Sequence, residues 1–364
     1  MKRYQILIVL TFFTAAMVFA QSDLQPVAIV RLTKSEPITV KQLKAELEKL
    51  AWQNLVPTLR RLPTAAEISR AAQGLSPEQR RQVLDMMINE KLALQASERD
   101  KITISENEIT QQINQLKAQM AQSIGRQPTE DEFAQAIKNE TGQDYPAFRD
   151  QLRRQAIVQK YLMSKKEQLF KNIQEPSSAD IANAYNLRKT EFIRPDTVRF
   201  SMIQVPYGAD AASKSRAKEL ADRLSREIGS NPAKFDETVM KGQAPNTGYQ
   251  AGDGGYLPRN IQAQQAAGTE FINTAFSLKQ GEVSRVIEGI QGYQIIKVTE
   301  TYAQVALELD DIVQPGSRMT VRQFIGQNIF QERQQMAMMQ ATEELVRELR
   351  SGNPFQIMEA NLNW

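Results

Sequence analysis

The chain has no cysteine and no histidine among its 364 residues, although its start has the pattern of an export signal. Exported proteins commonly gain stability from disulfides. Without them, this chain must be held together by its hydrophobic core, and its length predicts two or more domains. The same absence removes the commonest zinc and copper ligands and excludes catalysis by cysteine or by a serine–histidine pair. We therefore expect no metal site and no cofactor.

The N-terminal segment has the three parts of a secretory signal peptide. Two basic residues are followed by an uncharged apolar run from Ile6 to Phe19, and Ala20 closes a small-residue cleavage site. The run falls short of the roughly 20 residues that a membrane-spanning helix needs. We predict that residues 1–20 are removed before Gln21 and that the mature protein has no stable membrane insertion. An uncleaved N-terminal anchor is the alternative.

The charge of the mature chain is almost balanced. Without Lys2 and Arg3, 43 basic residues stand against 42 acidic ones, and no block of like charges stands out. Proteins that bind nucleic acid or anionic membranes usually carry a basic excess. We therefore expect neither nucleic acid nor a membrane surface as a partner.

Residues 21–190 are predicted to be mostly helical. A β-rich run from Val27 to Leu32 comes first, and apolar residues at helical spacing follow from Val40. Residues 51–75 are interrupted by prolines and are interpreted as an inserted helical excursion. Ser76 to Gln79 forms a capping box with proline at the first helical position, which predicts a helix start. Further caps predict helix starts near residues 105, 129, 145 and 177.

Residues 191–302 have the pattern of an α+β domain. Strands are predicted from the alternation at 198–205 and again at 283–286 and 293–298, and helices at 213–228, 235–240 and 271–278. The segment 242–255 is rich in glycine, proline and asparagine, which predicts a loop. This gives a βααβαββ-like order.

The C-terminal segment, residues 303–364, predicts one long helix from Val321 to Arg350 and a short strand near 355–358. The helix cannot bury its apolar side by itself. The predicted fold class is therefore α+β: a mostly helical module formed by the N- and C-terminal segments, with the α+β domain of residues 191–302 inserted between them.

Four blocks of the inserted domain resemble parvulin-type prolyl isomerases. They are the strand from Phe200 to Val205, the loop from Gly252 to Tyr256, the helix and turn from Glu270 to Ser284, and the strand from Gly292 to Val298. The flanking segments Val27 to Thr39 and Arg80 to Leu92 are similar to SurA-type periplasmic chaperones and related exported foldases. This resemblance implies a chaperone module whose clients are unfolded exported polypeptides, especially outer-membrane protein precursors.

The chain departs from the parvulin pattern at four positions of the active site. Met202 and Gln294 stand where active members usually carry histidine, Gly254 replaces a leucine, and Ala267 replaces a methionine of the proline pocket. Catalysis of X-Pro rotation faces a barrier of ~18–20 kcal/mol. Because shape and hydrogen bonding are lost together, we expect no catalytic residues here.

Two sets of residues are candidates for peptide binding. Phe271, Tyr256, Leu257 and Tyr293 could line a groove of the parvulin-like domain, or they could be ordinary core residues. The thioethers of Met336, Met338 and Met339 on the long helix could form an adaptable surface, although methionine at helical spacing is more often core.

We expect a periplasmic, ATP-independent chaperone with a catalytically inactive parvulin-like domain. Two alternatives stay open. One is an active peptidyl-prolyl isomerase with a histidine-free site, and the other is a scaffold that binds one dedicated partner.

Overall fold

The computed structural model describes residues 23–59, 61–208, 210–244 and 247–362. They belong to two compact units. The helical unit comprises Met1–Ile173 together with Arg333–Trp364, and the sheet unit comprises Gln174–Glu332. The signal-peptide prediction for residues 1–20 lies outside the described residues.

From residue 26 to residue 171, the described part of the helical unit has two strands followed by seven helices. They are β1 (Pro26–Val30), β2 (Glu36–Thr39), α1 (Val40–Leu55), α2 (Ala65–Gln73), α3 (Pro77–Arg99), α4 (Glu106–Ile124), α5 (Glu130–Thr141), α6 (Tyr145–Lys165) and α7 (Glu167–Lys171). Within the predicted excursion of residues 51–75, the helix is α2 together with the last turn of α1.

The sheet unit alternates helices and strands. Its elements are α8 (Ser178–Leu187), β3 (Ile193–Arg194), β4 (Thr197–Pro206), α9 (Ala211–Ile228), α10 (Pro232–Lys241), β5 (Gln250–Pro258), α11 (Ile261–Ala267), α12 (Thr269–Ser277), β6 (Ile287–Glu288), β7 (Gly292–Tyr302) and β8 (Val305–Ala306). The long helix α13 (Val321–Arg350) begins in this unit and ends in the helical unit, where β9 (Phe355–Ile357) follows it.

Capping boxes start most helices of the helical unit. At α3 the Ser76 side chain accepts a hydrogen bond from the Gln79 backbone N–H at 3.2 Å, and the Gln79 amide oxygen accepts one from the Ser76 N–H at 2.9 Å. The same reciprocal pair starts α1, α2, α4 and α5. Each box satisfies backbone donors that a helix start leaves unpaired.

The core of the helical unit joins the two ends of the chain. Strand β1 lies between β2 and β9, and all three are antiparallel. Leu84, Ile88 and Leu92 of α3 are buried in one cluster with Ala341, Leu345 and Leu349 of α13. Ion pairs at the edge of this core also join α13 to the N-terminal helices, among them Lys166 with Glu348 at 2.6 Å and Arg350 with Asp85 at 2.7 Å.

The sheet unit has a four-stranded antiparallel sheet in the order β5-β4-β7-β6, with a hydrophobic cluster on each face. One face packs against α11 and α12, and the other against α9 and α10. The predicted α+β fold class is thereby confirmed. A third cluster of Tyr185, Phe192, Leu307, Val321 and Ile325 includes residues outside the predicted 191–302 domain, on α8, on α13 and after β8.

Two local predictions in the sheet unit are wrong. Residues 250–255 were predicted as loop but belong to strand β5, because the register with β4 pairs this glycine-rich segment along its length. Residues 283–286 were predicted as a strand, but Val283 makes only an isolated bridge to Lys297. The strand that pairs with β7 here is β6, which begins at Ile287.

Candidate functional site

One face of the sheet carries the positions at which an isomerase would have its active site. Val198, Phe200 and Met202 alternate along β4 and contribute to one cluster with Ile296 and Val298 of β7. Because side chains of a strand alternate between faces, Gln294 points to the same side as Ile296. Met202 lies opposite Ile296, and Gln294 lies opposite Gln204. We call this surface, with Ala267 and Phe271, the parvulin face.

The position of Gly254 is closed by a neighbouring ring. A Cβ atom on Gly254 would collide with the ring of Phe200. That ring in turn packs edge-to-face on Phe271, with centroids 5.4 Å apart. The space that the family's leucine would occupy is therefore taken by a side chain of this protein.

The helices over the parvulin face complete its packing. Ala267 ends α11 and is partly buried against the cluster, as is Met202. Phe271 on α12 is only 3% exposed, and Leu257 of β5 is also buried. Two of the predicted peptide contacts are thus core residues in this structure, and peptide binding by them stays a prediction.

Gln294 has an unusual position on this face. Its Oε1 atom is buried and accepts no hydrogen bond from any residue that the structure describes. The backbone of Gly289 lies against it, since a Cβ atom at Gly289 would be 2.6 Å from Oε1. A buried acceptor without a donor is destabilising.

The other two predicted contacts of the sheet unit lie apart from one another. Tyr293 is buried in the cluster with Ile203 and Ile295 on the opposite side of the sheet, where its ring packs edge-to-face on Tyr207. Tyr256 is half-buried, with its ring 6.1 Å from that of Tyr302. The structure therefore does not bring Phe271, Tyr256 and Tyr293 together into one groove.

Tyr256 belongs to a charged cluster on the strands. Arg199 lies over its ring at 5.3 Å and forms ion pairs with Asp253 at 2.7 Å and with Glu300 at 3.0 Å. A hydrogen bond to Glu300 raises the pKa of Tyr302 to about 12. The hydrogen bond to Asp253, and then that to Glu300, also raise the pKa of Arg199. Near neutral pH, Arg199 is therefore charged and the Tyr302 phenol keeps its proton.

The three methionines of α13 differ in exposure. Met336 and Met339 are exposed, at 56% and 60%, whereas Met338 packs against the core of the helical unit. Two of the three can therefore meet a polypeptide in solution without any rearrangement of the helix.

The helical unit also has an open groove that the sequence did not predict. It consists of two adjoining cavities of about 310 and 250 Å³ among α1, α3 and α6. Glu46, Met87, Glu90 and Arg154 line both cavities, and Arg154 pairs with Glu90 at 2.9 Å. We call this the helical groove.

The lining of the helical groove combines apolar side chains, amides and charges of both signs. The apolar residues are Ile38, Ala45, Leu50, Val83, Met86, Met87 and Leu94; the amides are Gln42, Gln53, Gln143, Gln151 and Gln155; the charged residues are Glu36, Glu46, Lys49, Glu90, Lys91 and Arg154. Met86 is 60% exposed. Thioethers adapt to many shapes, and amides can hydrogen-bond to any peptide backbone. Such a lining suits a polypeptide segment without a defined sequence.

Adjacent methionines at 86 and 87 were the only sequence signal for this groove. Helical spacing predicts that most such residues are core, and Met87 is indeed partly buried there. The groove itself depends on three helices that are distant in sequence.

Within the described ranges, no group of three or more acidic residues is arranged to hold a metal ion. Among the same residues, no helix is both long enough and apolar enough to cross a bilayer.

Two family models match this chain over adjoining segments. A SurA-like N-terminal domain matches residues 2–162, and a PPIC-type peptidyl-prolyl isomerase domain matches residues 176–314. Among curated proteins, a foldase protein PrsA of Clostridium botulinum is 23% identical over 92% of this chain and 91% of its own length. A chaperone SurA of Alcanivorax borkumensis is 28% identical over 61% of this chain, which covers 47% of that longer protein.

Solved structures of similar proteins include the SurA-like chaperones PEB4 and Cj1289 of Campylobacter jejuni. Two structures described in those terms cover 88% and 92% of this chain, at 16% and 14% identity and TM-scores of 0.30 and 0.38. A PrsA structure from Bacillus subtilis covers 91% of the chain at 19% identity and a TM-score of 0.26. The two domain models and the curated relatives together show a chain that joins a SurA-like N-terminal domain to a PPIC-type parvulin domain and that is similar to PrsA foldase proteins and SurA chaperones.

Proposed function

We propose that this protein is an ATP-independent periplasmic chaperone that holds unfolded exported polypeptides in its helical groove, and that its parvulin-like domain does not catalyse prolyl isomerisation. The proposal rests on one contrast: the space beside Gly254 in the sheet unit is filled, whereas the side chain of Met86 in the helical unit is exposed. The ring of Phe200 fills the space beside Gly254, whereas Met86 is exposed at an open groove.

Reversible capture of unfolded chains needs an apolar surface that tolerates many sequences. The helical groove offers aliphatic and thioether side chains beside amides, and its charges largely balance. The exposed Met336 and Met339 add a second adaptable contact. Several weak contacts along one client give useful avidity, and the sequence carries no phosphate-binding loop that would couple release to a nucleotide.

The site is tested by charging the groove. Met86→Glu places a carboxylate where an apolar client segment would lie, next to Glu46 and Glu90. We expect it to weaken suppression of client aggregation several-fold, because burying an unpaired charge is costly. Met163→Glu is the matched control, since Met163 is also exposed in the helical unit but does not line the groove. Equal loss in both variants would contradict the groove.

The catalytic question is tested on the same sample. We expect no acceleration of cis–trans exchange in an X-Pro peptide, and acceleration comparable to that of an active parvulin would favour the histidine-free isomerase instead. Replacing residues 195–301 by a glycine–serine linker should leave aggregation suppression in place. If the linker variant folds but suppresses nothing, the client site belongs to the sheet unit.

The signal-like pattern of residues 1–20 and the similarity to SurA chaperones support a proposal on clients and location. We expect the mature N-terminus to be Gln21 and the protein to be released with the periplasmic fraction. Unfolded outer-membrane β-barrel precursors should be held more effectively than a folded soluble protein. A response restricted to one folded partner would favour the scaffold alternative.

A further inference from the structure

We propose that the sheet unit binds an acidic residue within an extended apolar polypeptide segment, in a groove between α8 and the first turns of α13. The groove has a volume of about 610 Å³ and is lined by Ile181 of α8, Gly326 of α13, and Arg318 and Met319 of the loop before α13, among others. We call it the α8–α13 groove. Its described lining residues do not belong to the parvulin face, and the inference does not depend on the helical groove.

The glycine that lines this groove is not explained by helix packing. Gly326 lies in the second turn of α13, where glycine is less favourable than alanine because it has more backbone freedom to lose. Apart from its own helix, the described atom that a Cβ there would meet within 4 Å is Ile181 Cδ1, at 3.5 Å. This is an ordinary van der Waals contact, so an alanine would fit. What the glycine supplies is a shallow spot on the helix, over which the backbone of a ligand can pass closely.

The charge available in the groove is that of Arg318. This side chain is exposed, and within the described ranges its guanidinium makes neither an ion pair nor a hydrogen bond. The neighbouring Arg322 instead pairs with Asp310, with its Nε 2.9 Å from Oδ1. The described lining contains these two arginines and one acidic residue, Glu175. The groove is therefore complementary to a carboxylate on its ligand.

The loop that carries Arg318 is held in place. The Met319 N–H donates a hydrogen bond to Ser317 Oγ at 3.0 Å. Gly316 has a φ of 78° and lies so close to Tyr256 that a Cβ atom there would be 2.4 Å from the ring. A guanidinium on a fixed backbone loses less freedom when it binds a carboxylate than one on a mobile loop does.

The length and chemistry of the groove suit an extended segment. Between Arg322 and Gln327 it follows about 8 Å of α13, at about 1.5 Å per residue, which roughly two to three residues of an extended chain cover. Met319 and Ile181 supply apolar contacts for the flanking side chains. Gln327 is exposed, and its amide can hydrogen-bond to a peptide backbone. A carboxylate in the segment then forms a charge-assisted pair with Arg318.

The test compares three labelled peptides of valine and leucine that differ in one carboxylate. The first has a central glutamate and blocked ends, the second a central glutamine and blocked ends, and the third a central glutamine and a free C-terminal carboxylate. Binding to the full mature chain is followed by fluorescence anisotropy. We expect the glutamate peptide to bind about tenfold tighter than the other two, which is the range of one charged hydrogen-bonded pair.

The same comparison can overturn the inference. Equal binding of the three peptides, or no binding of any, means that the groove has no preference for a carboxylate. If the peptide with the free C-terminus binds as tightly as the glutamate peptide or more tightly, the groove takes a chain end, and the assignment to an internal acidic residue is wrong.

Arg318→Gln should bring the ratio of the glutamate to the glutamine peptide close to one. Arg223→Gln is the matched control, because Arg223 is an exposed arginine of α9 that also makes no ion pair in the described part of the chain. It should keep the ratio. A ratio that survives Arg318→Gln, or that Arg223→Gln lowers equally, contradicts the assignment to Arg318.

Gly326→Ala separates binding from folding. The added methyl group favours the helix but raises the surface under the ligand. We expect a higher melting temperature of the sheet unit together with several-fold weaker binding of the glutamate peptide, a combination that a folding defect cannot produce. Unchanged binding would show that the ligand does not pass over Gly326 and would overturn the inference. Failure here leaves the Met86→Glu test unaffected, since that test concerns the helical unit.

Discussion

The helical groove and the parvulin face differ in how far their apolar side chains are buried. On the parvulin face, Phe200 and Phe271 pack against each other, and the ring of Phe200 occupies the space beside Gly254. In the groove, Met86 stays exposed, and the lining includes five glutamines that can turn toward a ligand. In the sheet unit, Phe200 and Phe271 of the parvulin face are thus packed as core, whereas the helical groove keeps an exposed methionine.

Among the changes that test this comparison, removal of residues 333–364 should have the largest effect on the stability of the helical unit. The deletion takes away β9, the partner of β1, and the buried residues of α13 that pack on α3. We expect residues 76–170 to become sensitive to protease, because their apolar faces lose the surface that covers them. Limited proteolysis followed by mass spectrometry would show this. If residues 76–170 stayed as resistant to protease as in the intact protein, the packing of α13 and β9 against the N-terminal elements would not contribute to their stability.

A point substitution in the shared core should have the next largest effect. Leu345→Ala leaves a cavity at a residue that is 5% exposed and should lower the free energy of unfolding of the helical unit by about 2–5 kcal/mol. Met339→Ala on the same helix is the control, and an exposed residue should change stability by no more than about 0.5 kcal/mol. Urea unfolding followed by circular dichroism measures both. Similar losses in the two variants would mean that α13 is not buried as described.

Restoring the family's leucine tests whether the parvulin face is truly filled. Gly254→Leu must displace the ring of Phe200 and should destabilise the sheet unit by about 1–3 kcal/mol. Combined with Phe200→Ala, the same leucine should fill the space that the ring leaves. The double variant should therefore be more stable than the sum of the two single effects implies. Simple additivity in thermal unfolding would show that the two side chains do not compete for space.

The smallest effect should come from pH near neutrality. With no histidine in the chain, no ordinary side-chain pKa falls between about pH 6 and 8, so the melting temperature should be flat there. At acid pH the helix-capping glutamates matter. The pKa of Glu108 is lowered to about 2, chiefly by the Ser105 backbone N–H, and that of Glu132 to about 2, chiefly by Arg126.

The sign of the acid effect follows from these lowered values. A carboxyl whose pKa is lower in the folded state stabilises the fold above its unfolded pKa of about 4.3, and this stability is lost as the pH falls toward 2. Thermal melts across this range should therefore show a plateau above about pH 5 and a decline below it. A midpoint that moves strongly between pH 6 and 8 would contradict the assignment.

Local signals predicted the helices better than the strands. The capping boxes at Ser76 and Thr129 depend on four consecutive residues, and both helices begin where the boxes indicate. Strand β5 was missed because glycine at 252, 254 and 255 is a local signal for a loop, whereas pairing with β4 decides the structure there. Propensity is overridden when a neighbouring strand supplies the hydrogen bonds.

The candidate sites also divide into features that depend on local sequence and features that depend on contacts between distant segments. The departures at Met202 and Gln294 are predicted from motifs alone, because both positions lie within short blocks that resemble the parvulin pattern. That Phe200 fills the space beside Gly254 could not, since it depends on the cross-strand register that sets Phe200 opposite Gly255. The helical groove could not be predicted either, because it requires the relative placement of α1, α3 and α6.

The pairing of β1 with β9 has a consequence for how the chain is made. Ala28 lies opposite Ile357, so the first strand of the helical unit finds one of its partners only when almost the whole polypeptide has emerged. Contacts between such distant segments form slowly, and domains generally fold in the order of their synthesis. Residues 174–332 come out complete before residue 333, whereas β1 and the face of α3 that packs against α13 must wait for their C-terminal partners. During most of its synthesis, this protein is therefore itself an incompletely folded polypeptide, like the clients that we propose the mature protein binds.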